Sequence, residues 1–249
     1  MLEGSLIRRM SCKPEEIIRE HVAEEAETGK IYRSNYKDKN VRVVLVLRPA
    51  RQNSKSVNAQ IKYLVHCMEN TILNLPLDQE QMIWLIDFNG FNLSNISIKS
   101  TKETAFILQD QYLERLGLAI LYNPPKFFEP FYKIVKLFLE PKTANKVKFV
   151  YADDPNTKII VENLFFMDEL ESAFGGKVEE SFDIKKYAEK MKEDDVKRII
   201  LNKGDTFLEP NTTLKSISHT EEKTTDTNCV TEVVEEKKLS EDPKSIASR

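Results

Sequence analysis

The chain has 249 residues, with 37 Lys and Arg against 40 Asp and Glu. That length suffices for one α/β domain with a real core and some appendages, and the near-balanced charge argues against a nucleic-acid binder, which needs a basic stripe. Cys12, Cys67 and Cys229 fall short of a disulfide framework and share no metal-ligand spacing, which points to a reducing, cytosolic setting.

No apolar run approaches a bilayer span, and the start lacks the apolar centre of a signal peptide. Leu2, Leu6, Ile7 and Met10 fit one helical face, and Pro14 with Glu15 and Glu16 restarts a helix, so residues 1–24 are predicted helical. Residues 31–40 read as polar and turn-like. Val41 to Leu47 is a β-branched strand closed by Arg48-Pro49. Ser54 or Ser56 caps a helix whose apolar positions run from Val57 to Leu73 at helical spacing. Met82 to Phe88 is a second buried strand. A helix from Ser97 or Ser100 runs to about Leu116, with Gly117 as its C-cap. Leu118 to Tyr122 and Val147 to Tyr151 are strands, and Pro155 opens a helix to Leu164. Strands alternating with helices predict an α/β fold with a mostly parallel sheet. Asp183 to Ile200 forms a charged helix, and the Thr-, Ser-, Glu- and Lys-rich remainder lacks the apolar content to fold.

No Gly-x-Gly-x-x-Gly exists, and Gly176-Lys177 is followed by Val178 where a phosphate loop needs Ser or Thr. His21, His66 and His219 form no metal or nucleophilic set, and His66 reads as structural. Asp153 and Asp154 read as caps of the next helix, while Asp87 at a strand end stays ambiguous. Phe127 to Leu139 is more informative. Its apolar residues cover more than one face, leaving Glu129, Lys133, Lys136 and Glu140 as a narrow polar line. Such a helix is either sandwiched in a core or faces something greasy on a second side. Pro124-Pro125 and Pro141 bracket it, so it could move as a lid.

Several motifs in order resemble the CRAL-TRIO family of phosphatidylinositol transfer proteins. Leu85 to Gly90 resembles its "I-x-D-x-x-G" strand end, Tyr112 to Gly117 its "Y-P-E-R" signature, and Tyr122 to Pro125 its "N-A-P". Phe138 to Lys146 resembles "F-L-D-P-x-T-x-x-K", and Phe174 to Gly176 the closing "F-G-G". The resemblance implies a pocket floored by a mostly parallel sheet, covered by helices and a mobile gate helix. It implies a lipid headgroup held by Asp38, Glu114, Gly117 and Lys146, with acyl chains against Phe127, Phe128, Phe131, Val135 and Phe138 of the gate. Small hydroxyl residues of the family's choline subsite fall on Met82 and Trp84, its tyrosines on Ser34 and Leu45, and its "G-R-P" turn on Val41, Arg42 and Val43.

The organisation expected is a helical remnant over 1–27, the lipid-binding domain over 28–178, a charged helix over 179–203 and a disordered tail over 204–249. The expected function is phospholipid binding and transfer, with phosphatidylinositol favoured, by a cytoplasmic monomer that touches membranes transiently. No catalysis, metal, cofactor or nucleic acid enters that reading. Its alternatives are a non-transferring lipid sensor, a carrier of another small hydrophobic ligand, and a Rossmann-like enzyme.

Overall fold

The structure, a computed structural model, describes residues 9, 10, 12–179 and 182–202. The start of the first expected helix and the expected tail lie outside the described residues. Four strands, β2 (Val43–Leu47), β3 (Met82–Asp87), β4 (Leu116–Tyr122) and β5 (Val147–Val150), lie parallel and side by side in chain order. Their near-continuous aliphatic runs are what parallel strands buried on both faces require. A fifth strand, β1 (Ile31–Lys37), pairs antiparallel with β2 at the edge. The sequence reads this stretch as a polar turn. It forms a strand because an edge strand tolerates polar residues, and Tyr63 Oη donates to the Ile31 carbonyl at 2.5 Å to hold its start.

A one-turn helix α1 (Ala23–Ala26) precedes the sheet. Helix α2 (Val57–Leu73) joins β2 to β3, and α3 (Ile98–Asp110) joins β3 to β4. Helices α4 (Phe128–Val135) and α5 (Pro141–Asn145) join β4 to β5. Then come α6 (Pro155–Leu164) and α7 (Ile184–Asn202). Ser56, Ser97 and Asp154 cap α2, α3 and α6 through hydrogen bonds from backbone N–H groups, as their positions in sequence suggest.

Three local expectations change. Helix α3 ends at Asp110, because Glu114 takes φ 60° and the chain turns into β4, so Gly117 is a strand residue and not a helix cap. The aromatic helix is α4 followed by a 3₁₀ turn over Lys136–Phe138, since Pro141 starts a new helix just beyond. Before α1, Pro14–Glu16 and Arg19–Val22 are only 3₁₀ turns, because Lys13 is left-handed and Ile18 extended. Ile17 and Val22 of this segment are buried in the core, which supplies what such short turns cannot supply alone.

Parallel crossovers that all step the same way place their helices on one face of the sheet. The register puts Leu47, Ile86 and Leu121 in one row and Trp84, Ala119 and Val147 in another of the same face. That face looks toward α2, α3 and α4. The opposite face, with Val46, Leu85, Ile120 and Tyr122, joins a core with Val161, Phe165, Leu170 and Phe174. Tyr122 meets Phe174 edge-on at 5.4 Å.

A buried cation ties this core together. Arg48, just after β2, pairs with Glu171 at 2.7 Å and Asp87 at 3.3 Å, and Tyr32 Oη donates to Glu171 at 2.8 Å. This settles Asp87 as a structural acid. Replacing Arg48 with Met strands two buried carboxylates, so Arg48→Met should lower unfolding stability by about 3–5 kcal/mol in a urea titration. An unchanged midpoint would show the cluster to be dispensable.

His66 is structural, as the sequence suggests. Its Nδ1 donates to the Ile17 carbonyl at 3.0 Å, and its Nε2 accepts from Asn70 at 3.0 Å. Burial pushes its pKa down to about 4, with the nearby Arg198 charge acting in the same direction. Cys67 is free and buried, its thiol pushed up to about 12. For His66, the unfolded chain binds the extra proton first. Stability is therefore expected to fall by up to about 3 kcal/mol as pH drops from about 6.5 to about 4. His66→Gln should flatten that segment of the stability–pH curve, measured by denaturant titration at several pH values.

Candidate functional site

The face of the sheet covered by α2, α3 and α4 is not filled by side chains. It bounds a cavity of about 830 Å³. Trp84, Ile86, Ala119 and Leu121 form its floor, Ile61 and Leu64 of α2 and Leu108 of α3 its walls. Phe128, Phe131, Tyr132 and Val135 of α4 close the remaining side. A cavity this large and this apolar accepts a sizeable hydrophobic ligand.

Three of the five expected gate residues, Phe128, Phe131 and Val135, line the cavity. Phe127 instead stacks on Phe91 at 6.2 Å, and the Phe138 carbonyl accepts from Gln109 Nε2 at 2.9 Å; neither lines the cavity. The broken helix explains the difference, since the 3₁₀ turn rotates Phe138 off the cavity face. Tyr132 and Leu139 take those places. On the outer side, Ile134 is 44% and Leu137 80% exposed. The helix is therefore apolar on two sides, as its composition suggests. Gln109 clasps its far end from both sides, its Oε1 accepting from Glu140 N at 2.5 Å.

The expected headgroup residues gather at the N-terminal ends of the parallel strands. Glu114 precedes β4, Gly117 is its second residue, Lys146 precedes β5, and Asp38 lies in the turn before β2. Lys142 Nζ meets one Glu114 oxygen at 2.5 Å and Lys146 Nζ the other at 3.2 Å. Hydrogen bonds from these two ammonium groups hold the Glu114 carboxyl below the usual carboxylate range. Asp38 is buried, and Arg42 binds its Oδ2 through Nε at 2.9 Å and Nη2 at 2.7 Å. A Cβ at Gly117 would lie 2.9 Å from Arg42 Nη1 and 3.0 Å from Gln81 Oε1, so the bare glycine lets both side chains cross the start of β4. Gln81 Nε2 donates to the Glu114 carbonyl at 3.5 Å. One polar cluster thus runs from Asp38 through Arg42 and Gln81 to Glu114 and its lysines. Leu116, Thr143 and Val147, chain neighbours of these residues, line the cavity itself.

The CRAL/TRIO domain profile matches residues 26–176. The chain belongs to the CRAL/TRIO domain family. It is 37% identical over 169 residues to a CRAL-TRIO domain-containing protein of Schizosaccharomyces pombe, covering 68% of this chain and 16% of that protein. It is 30% identical over 161 residues to the phosphatidylinositol transfer protein PDR17 of Saccharomyces cerevisiae, covering 62% of this chain and 43% of that protein. The chain therefore spans less than half the length of these relatives. The crystal structure of Sfh5 superposes with a TM-score of 0.57 at 18% identity, covering 72% of this chain and 66% of that one, which shows a shared fold.

Sequence reading of the domain misses Arg42, Gln81 and Lys142. A signal existed for Lys142, which lies four residues before Lys146 and so on the same side of one helical turn. None existed for Gln81, whose role follows from strand pairing. Val41, exposed in the Asp38 turn, holds φ 63° where the family motif has glycine. A β-branched residue is strained there, at a cost of about 1–2 kcal/mol. Val41→Gly should raise stability by about 1 kcal/mol, read as a rise in melting temperature of a few degrees. A lower melting temperature would mean that the turn is relaxed as it stands.

Proposed function

We propose that this domain binds a phospholipid, with phosphatidylinositol the leading ligand, and transfers or presents it between membranes. The observation that carries the reading is the clasp of Lys142 and Lys146 on Glu114 beside the mouth of a large apolar cavity. A phosphate leaving water needs a nearby cation and charge-assisted hydrogen bonds, and two ammonium groups already share one carboxylate there. Glu114 stays ionised at neutral pH and can accept from sugar hydroxyls as its lysines turn to the phosphate. Asp38, fully engaged by its own turn, serves by fixing Arg42 against Gly117. The acyl chains occupy the cavity at about 0.8 kcal/mol per buried methylene.

The outer side of α4 fits a membrane encounter. Exposed Ile134 and Leu137 stand beside the exposed Lys133 and Lys136, an apolar tip with cations for anionic headgroups. Among the described residues no helix is long and apolar enough to cross a membrane; the contact proposed is a peripheral one, made by a monomer in the cytoplasm. The budding-yeast relative is named a phosphatidylinositol transfer protein, which supports the same ligand. No bond is made or broken in this scheme.

Lipids copurifying with the wild-type chain and with Lys146→Ala, measured by mass spectrometry, test it. Phosphatidylinositol should be abundant in the first and reduced about 10- to 100-fold in the second, the loss of about 1.5–3 kcal/mol expected for a hydrogen bond to a charged group. Equal amounts in two folded proteins would sink the headgroup assignment. A headgroup-free hydrophobe in both would favour a carrier of another ligand class.

A further inference from the structure

Two hydrogen-bond donors sit in the wall of this apolar cavity without partners. Trp84, on β3 in the cavity floor, is 5% exposed, and its Nε1 is buried with no hydrogen-bond partner among the described residues. Tyr132, on α4 at the opposite side, packs its ring on Phe149 at 5.1 Å, and its buried Oη is also unpartnered. An indole N–H can only donate. A buried donor left unmet costs about 1–3 kcal/mol, and hydrocarbon cannot meet it. The neighbours of Trp84 in its strand row, Leu45 and Ala119, bring no acceptor side chain. A ligand filling the cavity meets both donors only if it carries acceptor oxygens of its own.

We propose that Trp84 Nε1 and Tyr132 Oη donate to the two carboxylic ester carbonyls of a diacyl glycerolipid, so that the cavity selects ester-linked lipids over their ether-linked or single-oxygen counterparts. One donor belongs to the sheet and the other to helix α4, and both residues line the same cavity. A ligand with two ester carbonyls spans both, whereas a ligand with one hydroxyl satisfies one. Binding then couples the gate helix to the floor through the ligand. This inference rests on the phospholipid reading above and adds the linkage chemistry of the ligand to it.

The test compares diester phosphatidylinositol with its diether analogue, each offered in phosphatidylcholine vesicles to the wild-type chain, Trp84→Phe and Tyr132→Phe. Uptake is read by native mass spectrometry. The wild type should prefer the diester by about 100-fold, the ratio for two buried hydrogen bonds of about 1.4 kcal/mol each. Each variant should keep only about a tenfold preference, read as the ratio of diester to diether uptake within that variant. Trp84 is the chain's single tryptophan, so its emission gives a second readout that needs no variant. It should differ between the protein loaded with the diester and the protein loaded with the diether. Equal wild-type uptake of both lipids overturns the proposal and leaves the phospholipid reading standing. A preference that stays at about 100-fold in both variants overturns the assignment to these two residues. Uptake of neither lipid overturns the phospholipid reading and this inference with it.

Discussion

A parallel sheet must bury both faces, because its strands are apolar on both sides. Only one face of this sheet does so with the chain's own side chains. There Phe165, Leu170 and Phe174 pack on Leu85 and Ile120, and a buried arginine with two carboxylates fastens the layers. On the other face the helices stand off and leave a cavity. The solid face supplies the stability that lets the second face remain open. Exposed in full, that second face would be a liability in water. Held under the aromatic helix α4, it bounds the cavity instead.

The polar cluster lies at the N-terminal ends of the strands. Open parallel sheets more often place their sites at the opposite, C-terminal ends. Here cations and carboxylates stand beside an apolar cavity. Each parallel strand contributes one element at its start: Arg42 before β2, Gln81 before β3, Gly117 in β4 and Lys146 before β5. Strain collects there too, at Val41 and Glu114, both left-handed and neither glycine. The flanking strands are rigid enough to hold it.

The gate helix joins the two regions. Its inner side completes the cavity and its outer side is apolar and cationic, while Gln109 holds the end from which α5 brings Lys142 to Glu114. A movement of α4 would therefore be felt at the lysine clasp. The polar cluster and the cavity are mechanically adjacent even though Asp38, Glu114, Gly117 and Lys146 do not line the cavity.

The chain's periodicity determined much of this. The aliphatic runs made the parallel strands, the serine and aspartate caps set the starts of α2, α3 and α6, and the motif order marked Glu114, Gly117 and Lys146. Hydrophobic period and local caps act within a few residues, so sequence displays them directly. Tertiary structure decided the rest. Residues 31–37 became a strand because β2 had a free edge to pair. Gly117 proved to matter for the space it leaves to Arg42 and not for a helix end. Phe138 left the cavity and Leu139 entered it because a 3₁₀ turn changed the rotation of the segment by a fraction of a turn. Arg48 found Glu171 across 123 positions of chain. Such contacts depend on which elements the sheet brings side by side, and pairing between distant segments is written in no local pattern.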